Sequence, residues 1–176
     1  MGDPHKRRKL YEKPKRLWDA KRIEEESGLK EEYGLKNSRE LWRMKTILRK
    51  IRREARRLLS KKGAGLDERA GRLLKRVRSF LLKKADATLD DVLALTTKDM
   101  LERRLQTVVV RKKMAQTMKQ ARQFITHGHV AIGERKVTSP SYIVKFEEED
   151  GVRWHSKPVG AIRQEGEAEA VISENG

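Results

Sequence analysis

The sequence predicts an α+β fold: a basic, helical N-terminal domain followed by a small unit of two helices and an antiparallel sheet. Between residues 37 and 96, apolar residues recur every three or four positions along two segments, which is the spacing of amphipathic helices. After residue 97, helix-capping signals precede short β-type runs separated by glycine and proline. Hydrophobic residues make up only 36% of the chain, so we expect thin cores rather than one large core.

The composition excludes several classes of protein. The chain has 176 residues, with 43 Lys and Arg against 26 Asp and Glu, and no cysteine, so it can form neither disulfides nor thiolate metal sites. No apolar run approaches the roughly 18 residues of a transmembrane helix, and the basic N-terminus leads into no secretory signal. A net charge of +17 predicts a polyanionic partner, with nucleic acid the first candidate.

The charge divides the chain into parts. Residues 1–146 hold 40 basic and 18 acidic side chains, whereas residues 147–176 hold 3 and 8. Pro4 and Pro14 favour an extended start, followed by a short helix from Trp18 that ends before Gly28. The predicted organisation is an extended basic arm at 1–36, a basic helical domain at 37–96, the helix–helix–sheet unit at 97–160 and a disordered acidic tail at 161–176.

A long helix is predicted to begin after Asn37, with Glu40 at the capping-box position, and to stop at Gly63-Ala64-Gly65. Its apolar stripe consists of Leu41, Met44, Leu48, Ile51, Ala55 and Leu58. Its opposite side carries Arg43, Lys45, Arg49, Lys50, Arg52, Arg53, Arg56 and Arg57. Trp42 lies on the basic side, where it could stack on a base, but we expect it to pack under arginine side chains or a neighbouring element.

A second amphipathic helix is predicted to begin at Asp67 as its cap and to pack against the first, apolar stripe to apolar stripe. Its stripe consists of Leu66, Ala70, Leu73, Val77 and Leu81. Its other face carries Arg69, Arg72, Lys75, Arg76, Arg78 and Lys83. A merely solvated face would mix charges for solubility, but residues 39–84 hold 18 basic and only 4 acidic side chains. Such a face repels itself unless anions neutralise it, which favours a nucleic-acid partner.

The third region is predicted to contain two helices and a small sheet. Either Thr96 or Thr97 caps the first helix, which runs past Leu105 to Val109, and Thr117 with Gln120 forms the capping box of the second. Gly128 is expected to end the second helix. His129–Ile132 then forms a strand, Gly133-Glu134 a hairpin turn, and Arg135–Thr138 the returning strand. After Ser139-Pro140-Ser141, Tyr142–Phe146 is predicted to be another strand, with Glu147–Asp150 a solvated loop.

Several motifs of this region resemble the RNA-binding module named after ribosomal small-subunit protein S-four. They are Leu101-Glu-Arg-Arg-Leu-Gln-Thr, Ala121-Arg-Gln-Phe-Ile with His127-Gly-His-Val, and Pro140-Ser-Tyr-Ile-Val. Upstream, Glu32-Tyr-Gly-Leu-Lys-Asn and Glu40-Leu-Trp-Arg are similar to the archaeal and eukaryotic branch of that ribosomal protein family. The resemblance covers residues 5 to 155. The family usually has Asn-Gly where this chain has Gly133-Glu134, which leaves the turn type open.

The resemblance implies a structural, non-enzymatic protein of the small ribosomal subunit, located on cytoplasmic ribosomes. It implies direct binding to the five-prime domain of small-subunit rRNA, nucleation of subunit assembly, and a contribution to translational accuracy through the S-five and S-twelve family proteins. It implies no cofactor, membrane or small-molecule substrate. The zinc site of many bacterial members requires cysteine, so it cannot exist here. Only nine residues are aromatic (3 Trp, 3 Tyr and 3 Phe), so arginine and lysine contacts with phosphates are expected to dominate.

The expected RNA-binding residues come from both regions. In the helical domain they are Arg43, Arg49, Arg52, Arg53, Arg56, Arg57, Arg72 and Arg76. In the module, by match to the motif, they are Arg103, Arg104, Lys119, Arg122, Gln123, His127 and His129, with additional contacts from Ser139 and Ser141.

Three alternatives are weighed against this interpretation. An RNA-modifying enzyme would need a catalytic domain, which the basic helices do not supply. A DNA-binding protein built on the helix pair would bind duplex DNA as well as folded rRNA. The histidines His127, His129 and His155 could form a metal site, but contacts with phosphate or a backbone carbonyl are expected instead.

Overall fold

The computed structural model describes residues 9–60, 65–84 and 86–156, and these form eight helices and one three-stranded sheet. The helices are α1 Ala20–Glu32, α2 Ser38–Ser60, α3 Leu66–Arg78, α4 Leu89–Ala94, α5 Thr97–Glu102, α6 Leu105–Arg111, α7 Met118–Thr126 and α8 Phe146–Glu149. The strands are β1 Val130–Ile132, β2 Arg135–Lys136 and β3 Val152–Trp154. The predicted α+β class is confirmed. No helix of the described residues is both long and apolar enough to cross a membrane.

The chain forms two compact units. The first comprises the described residues up to Arg78 together with Lys84–Leu101, and the second comprises Ser79–Lys83 and the described residues from Glu102 onward. Helix α5 therefore belongs to the first unit, although the domain boundary was expected at 97. The predicted acidic tail at 161–176 lies outside the described residues.

Helix α1 continues beyond its predicted end. The Asp19 side chain caps it by accepting a hydrogen bond from the Arg22 backbone N–H, and the helix passes through Gly28 to Glu32. A glycine inside a helix costs only about 1 kcal/mol relative to alanine. Continuing the helix brings Tyr33 and Leu35 into the core of the unit, where both are buried. This burial outweighs the glycine penalty, so the predicted stop before Gly28 is wrong.

Helix α2 confirms the predicted cap and stripe. The Asn37 side-chain oxygen accepts a hydrogen bond from the Glu40 backbone N–H at 3.2 Å. Five of the six predicted stripe residues are buried and Leu58 is half-buried. The helix packs against α1, α3 and α4. Of its predicted stop, residues 63 and 64 lie outside the described residues.

Helix α3 packs on α2 through Leu73 and Val77, as predicted. Asp67 is not its cap, because Leu66 is already helical and the Arg69 N–H bonds to the Gly65 carbonyl. Asp67 instead lies in the first turn, where its negative charge interacts favourably with the positive end of the helix dipole. The predicted stripe residue Leu81 lies beyond the end of α3 at Arg78.

The second unit begins with a break that the sequence did not predict. One helix was expected through Leu105, but Arg104 is extended, with φ −72° and ψ 141°, and separates α5 from α6. Residues 103–105 instead pair with residues 142–144. The Val144 N–H donates to the Arg103 carbonyl and the Leu105 N–H to the Tyr142 carbonyl, each at 2.8 Å. These bonds replace the helical ones.

Helix α7 is capped by Thr117, whose side chain accepts from the Gln120 N–H at 3.2 Å. The reciprocal half of the predicted capping box differs, because the Gln120 side chain accepts from the Gln116 N–H. Gly128 ends the helix with φ +79°, as predicted. The Lys136 side chain lies over this position but can move aside, so the positive φ is what favours glycine here.

The sheet has the strand order β2-β1-β3 and is antiparallel throughout. Gly133, with φ +60°, occupies the first position of the predicted β1–β2 turn, while Glu134 has no positive φ, a pattern that fits a type II′ turn. The predicted third strand at 142–146 is wrong. That segment makes one bridge, Ile143 with Arg104, and then enters α8 where a loop was expected.

The strand that completes the sheet is β3, which pairs with β1 in the register Val130–Trp154 and Ile132–Val152. Beneath the sheet, α6 and α7 pack together. The core of the unit consists of Leu105, Val108, Val109, Ala115, Ala121, Phe124, Ile125, Val130, Val137, Val144 and Val152.

Candidate nucleic-acid interface

The first candidate surface is the outward side of α2, which we call the α2 basic face: Arg43, Arg49, Arg53, Arg56 and Arg57. All five are exposed. From residue 41 to residue 60, Glu54 is the only acidic residue. Arg49 also pairs with the Glu12 carboxylate. A rigid helix thus presents several guanidinium groups with little internal neutralisation, an arrangement suited to a row of phosphates.

Arg52 has a different environment from its neighbours. Its side chain is half-buried, and its Nη2 donates a hydrogen bond to the Leu95 carbonyl at the end of α4. That carbonyl lies just beyond the last turn of the short helix, where no helical donor is available. Arg52 therefore has a packing role in the first unit, and it is the weakest of the predicted phosphate contacts on α2.

Arg72 and Arg76 lie on the exposed side of α3, as predicted. The Arg72 guanidinium makes an i,i+4 ion pair with Glu68 at 2.6 Å, and the side chains of both residues are exposed. Such an exposed pair is weak and leaves the arginine able to exchange its partner for a phosphate. Arg78, at the end of the same helix, instead donates to the Ala87 carbonyl at 2.9 Å.

Trp42 packs rather than projecting from α2, as expected. Its Nε1 donates to the Glu26 carboxylate at 3.1 Å, and Glu26 also binds Lys45 at 2.8 Å and Arg22 at 2.9 Å. Burial acts to raise the pKa of Glu26, but the hydrogen bonds from Lys45, Trp42 and Arg22 together lower that pKa below its ordinary value. This cluster joins α1 to α2, so Lys45 serves the core rather than the surface.

Arg103 and Arg104 do not line a surface, and that prediction is wrong. Arg103 is 6% exposed and Arg104 is fully buried at 0%. The Arg103 guanidinium donates to the Val144 carbonyl and, at 2.7 Å, to Glu149, and it lies 4.2 Å above the centre of the Phe146 ring. The hydrogen bond from Arg103 is the main reason that the pKa of Glu149 is lowered. Arg103 thus links several parts of the interior of the second unit, and the Arg104 side chain is buried in that interior.

The second candidate surface is the outer side of α7 with the loop that follows it, which we call the α7 face. Lys119, Gln123 and His127 are exposed, and Arg122 is half-buried. Their spacing of three and four residues places them on one side of the helix. The other side carries the buried Ala121, Phe124 and Ile125, which fix the orientation of the helix on the core.

His129 extends this face beyond the end of α7. Its ring centre lies 6.4 Å from that of His127, and its Nδ1 lies 3.0 Å from the Ser156 carbonyl oxygen. The Ser156 hydroxyl oxygen lies 3.1 Å from the same nitrogen, so Nδ1 is within hydrogen-bond distance of Ser156 in either tautomer of the ring. Within the described residues no group of three His, Cys, Asp or Glu side chains could hold a metal ion.

Lys113 is a cation that the sequence did not single out. It is exposed between α6 and α7 and is the only non-glycine residue with positive φ among those described, at +56°. Its N–H donates to the Val110 carbonyl as the helix ends. Glycine is the usual residue in this conformation, so a lysine here is a departure from what the backbone alone prefers. The signal for this conformation in the sequence is that residues 112–117, between α6 and α7, contain no glycine to end the first helix.

The two serines lie apart from the α7 face. The Ser139 and Ser141 hydroxyls are 3.2 Å from each other, with Ser139 exposed and Ser141 half-buried. Ser139 lines a groove that also contains Glu147 and Glu148. Arg135 and Lys136 line the same groove, so its charges are mixed, whereas the α7 face presents cations without carboxylates.

Comparisons of the sequence with known proteins identify the family of this chain. Residues 103–150 match the family described as the S4 domain. The chain is 47% identical to the small ribosomal subunit protein uS4 of Methanococcus aeolicus over 155 residues, which covers 88% of each chain. The chain belongs to the uS4 family. It is also 46% identical over 173 residues to uS4 of Saccharolobus solfataricus, covering 94% of this chain and 96% of the relative.

A further uS4 relative, from Sulfurisphaera tokodaii, is 49% identical over 165 residues and aligns with 93% of this chain. The predicted family resemblance is thus confirmed. These relatives are named as ribosomal proteins and not as enzymes, as expected. The S4-domain match of this uS4 protein starts at Arg103, where the predicted single helix is broken.

Proposed function

We propose that this uS4 protein is a structural component of the small ribosomal subunit that binds its rRNA directly through the α2 basic face, the exposed arginines of α3 and the α7 face. The observation that carries the proposal is the α2 basic face, whose five exposed arginines on a rigid helix are opposed by one acidic residue between 41 and 60. Folded RNA supplies the dense phosphates that such a surface requires.

The finer proposal follows the family. The protein binds the five-prime domain of small-subunit rRNA and nucleates assembly of the subunit. It is located on cytoplasmic ribosomes and contributes to translational accuracy through proteins of the S-five and S-twelve families. The buried contacts of the first unit support a nucleating role, since the Glu26 cluster and the α2 stripe orient the cations before RNA arrives. A preorganised surface loses less entropy on binding.

Binding of the full chain to a folded five-prime-domain rRNA fragment, in competition with duplex DNA of equal length at matched salt, tests the proposal. We expect the affinity for the rRNA fragment to be at least tenfold higher than that for DNA. The affinities of specific nucleic-acid complexes exceed those of non-specific ones by about three orders of magnitude or more. Equal affinity for both nucleic acids would overturn the ribosomal assignment in favour of general DNA binding.

A further inference from the structure

The side chain of Trp18 is 92% exposed, more than any other large apolar side chain in the described part of the chain. The other two tryptophans, Trp42 and Trp154, are half-buried. Single exposed apolar residues are common on protein surfaces, but tryptophan is the residue with the largest apolar area to lose. Its neighbour Leu17 is also exposed, at 52%.

The backbone that carries Trp18 is held in place by α1. Arg22 donates through Nη2 to the Arg16 carbonyl at 3.2 Å and to the Leu17 carbonyl at 2.9 Å. The same guanidinium binds Glu26 through Nη1 at 2.9 Å. Since Glu26 is itself only 3% exposed, the peptide units before Trp18 are connected to the buried junction of α1 and α2. The indole is therefore presented on a fixed support.

Along the sequence, the residues nearest to Trp18 are mainly cationic, and exposed glutamates follow only at Glu12 on one side and Glu24 on the other. Lys13, Lys15, Arg16 and Lys21 are all exposed, while Asp19 is the only acidic residue from 13 to 23 and caps α1. A flat apolar ring among solvated cations matches a ligand with flat apolar faces and a negatively charged backbone, which describes an unpaired nucleotide of RNA. An apolar pocket of a protein would account for the indole but not for the surrounding cations.

We propose that Trp18 stacks on an unpaired nucleobase of the bound RNA, while Lys15, Arg16 and Lys21 contact the flanking phosphates. This inference rests on the proposed function and adds a base-stacking site to surfaces that otherwise contact only phosphates. Stacking of one base on an aromatic side chain is worth about 1–3 kcal/mol, so its loss weakens binding by roughly 5- to 140-fold.

Three variants of the full chain separate stacking from other roles: Trp18→Ala, Trp18→Leu and Trp18→Phe. The probe is the folded five-prime-domain rRNA fragment, and both affinity and tryptophan fluorescence are measured. We expect Trp18→Ala and Trp18→Leu to weaken binding on the order of tenfold and Trp18→Phe to retain most of the affinity. RNA should quench the wild-type fluorescence, and Trp18→Phe should remove most of this quenching. Leu17→Ala, a matched exposed apolar change, should bind like the wild type.

Two results would overturn the stacking site. If Trp18→Leu binds like the wild type, apolar contact rather than stacking is at work. If all three variants bind like the wild type without altered quenching, the indole does not contact the RNA. Failure of the wild-type chain to bind the fragment at all would instead contradict the proposed function, so the two failures are distinguishable.

Discussion

The Nη1 atom of Arg103 lies 2.7 Å from the Oε2 atom of Glu149, and these residues stand at opposite ends of the S4-domain match at 103–150. The same guanidinium donates to the Val144 carbonyl and covers the Phe146 ring. One buried arginine thus connects the beginning of the domain with its last helix. A residue type that normally contacts solvent or RNA is here a structural link.

Replacing Arg103 with alanine should destabilise the second unit by about 2–4 kcal/mol, because the Val144 carbonyl and Glu149 lose their charged donor in a buried setting. Urea unfolding monitored by circular dichroism measures this loss. Glu149→Gln should lower the free energy of unfolding by less, since Glu149 is only partly buried. The amide oxygen of the glutamine can still accept a hydrogen bond from Arg103. A variant Arg103→Ala that is as stable as the wild type but binds RNA more weakly would contradict the interior role.

The adjacent pair Arg52 and Arg53 offers a matched comparison on one helix. Arg52→Ala removes the donor to the Leu95 carbonyl and should lower the free energy of unfolding by about 1–2 kcal/mol. Arg53→Ala should leave stability within about 0.5 kcal/mol, because the side chain is exposed, and should weaken RNA binding. Thermal melting and filter binding on both variants check this, and equal effects of the two changes on both measurements would refute the distinction.

Lys113→Gly should raise stability and lower RNA affinity at the same time. The positive φ of Lys113 costs a non-glycine residue about 1 kcal/mol, which glycine does not pay. The same change removes one cation from the turn before α7. Chemical denaturation and binding isotherms provide the two readings. A loss of stability on this substitution would show that the lysine side chain is a packing group.

Glu26 should make the protein less stable in acid. Its folded-state pKa lies below the ordinary 4.5, so the carboxylate contributes stability above that value, and this contribution is lost as the pH falls from 4.5 through the lowered pKa. The free energy of unfolding, measured in urea between pH 7 and pH 3, should therefore fall more steeply for the wild type than for Glu26→Gln. Glu54→Gln, which changes an exposed carboxyl on α2, should retain the wild-type slope. Parallel wild-type and Glu26→Gln curves would contradict the role of this cluster.

Local patterns were sufficient to predict α2 and α7. In each helix the buried apolar residues recur with the helical period, and a side chain just before the helix accepts a hydrogen bond from the backbone N–H three residues later. The break at Arg104 and the third strand depend on distant partners. Residues 103–105 bond to 142–144, and the residues of β3 pair with β1 residues that stand 20 to 24 positions earlier in the chain. A strand of three residues is too short to show an alternating pattern.

The candidate site divides in the same way. The exposed cations of α2, α3 and α7 lie where helical spacing placed them, because each is opposite an apolar stripe. Arg103 and Arg104 were expected on the RNA surface by match to the family motif, and charged side chains are rarely buried without a partner. The partner of Arg103, Glu149, is 46 residues away along the chain. No local pattern could have indicated that pairing.

The exposed arginines of the α2 basic face are proposed to bind phosphates of rRNA, and the salt dependence of binding tests this claim. The affinity of the folded five-prime-domain fragment is measured against salt concentration for the wild type, for Arg53→Ala/Arg56→Ala/Arg57→Ala and for the corresponding triple lysine variant. The alanine variant should bind more weakly, with the slope of log affinity against log salt reduced by about 3, one for each lost phosphate contact. The lysine variant, which retains the charges, should keep most of the slope. An unchanged slope and affinity in a folded alanine variant would contradict the claim.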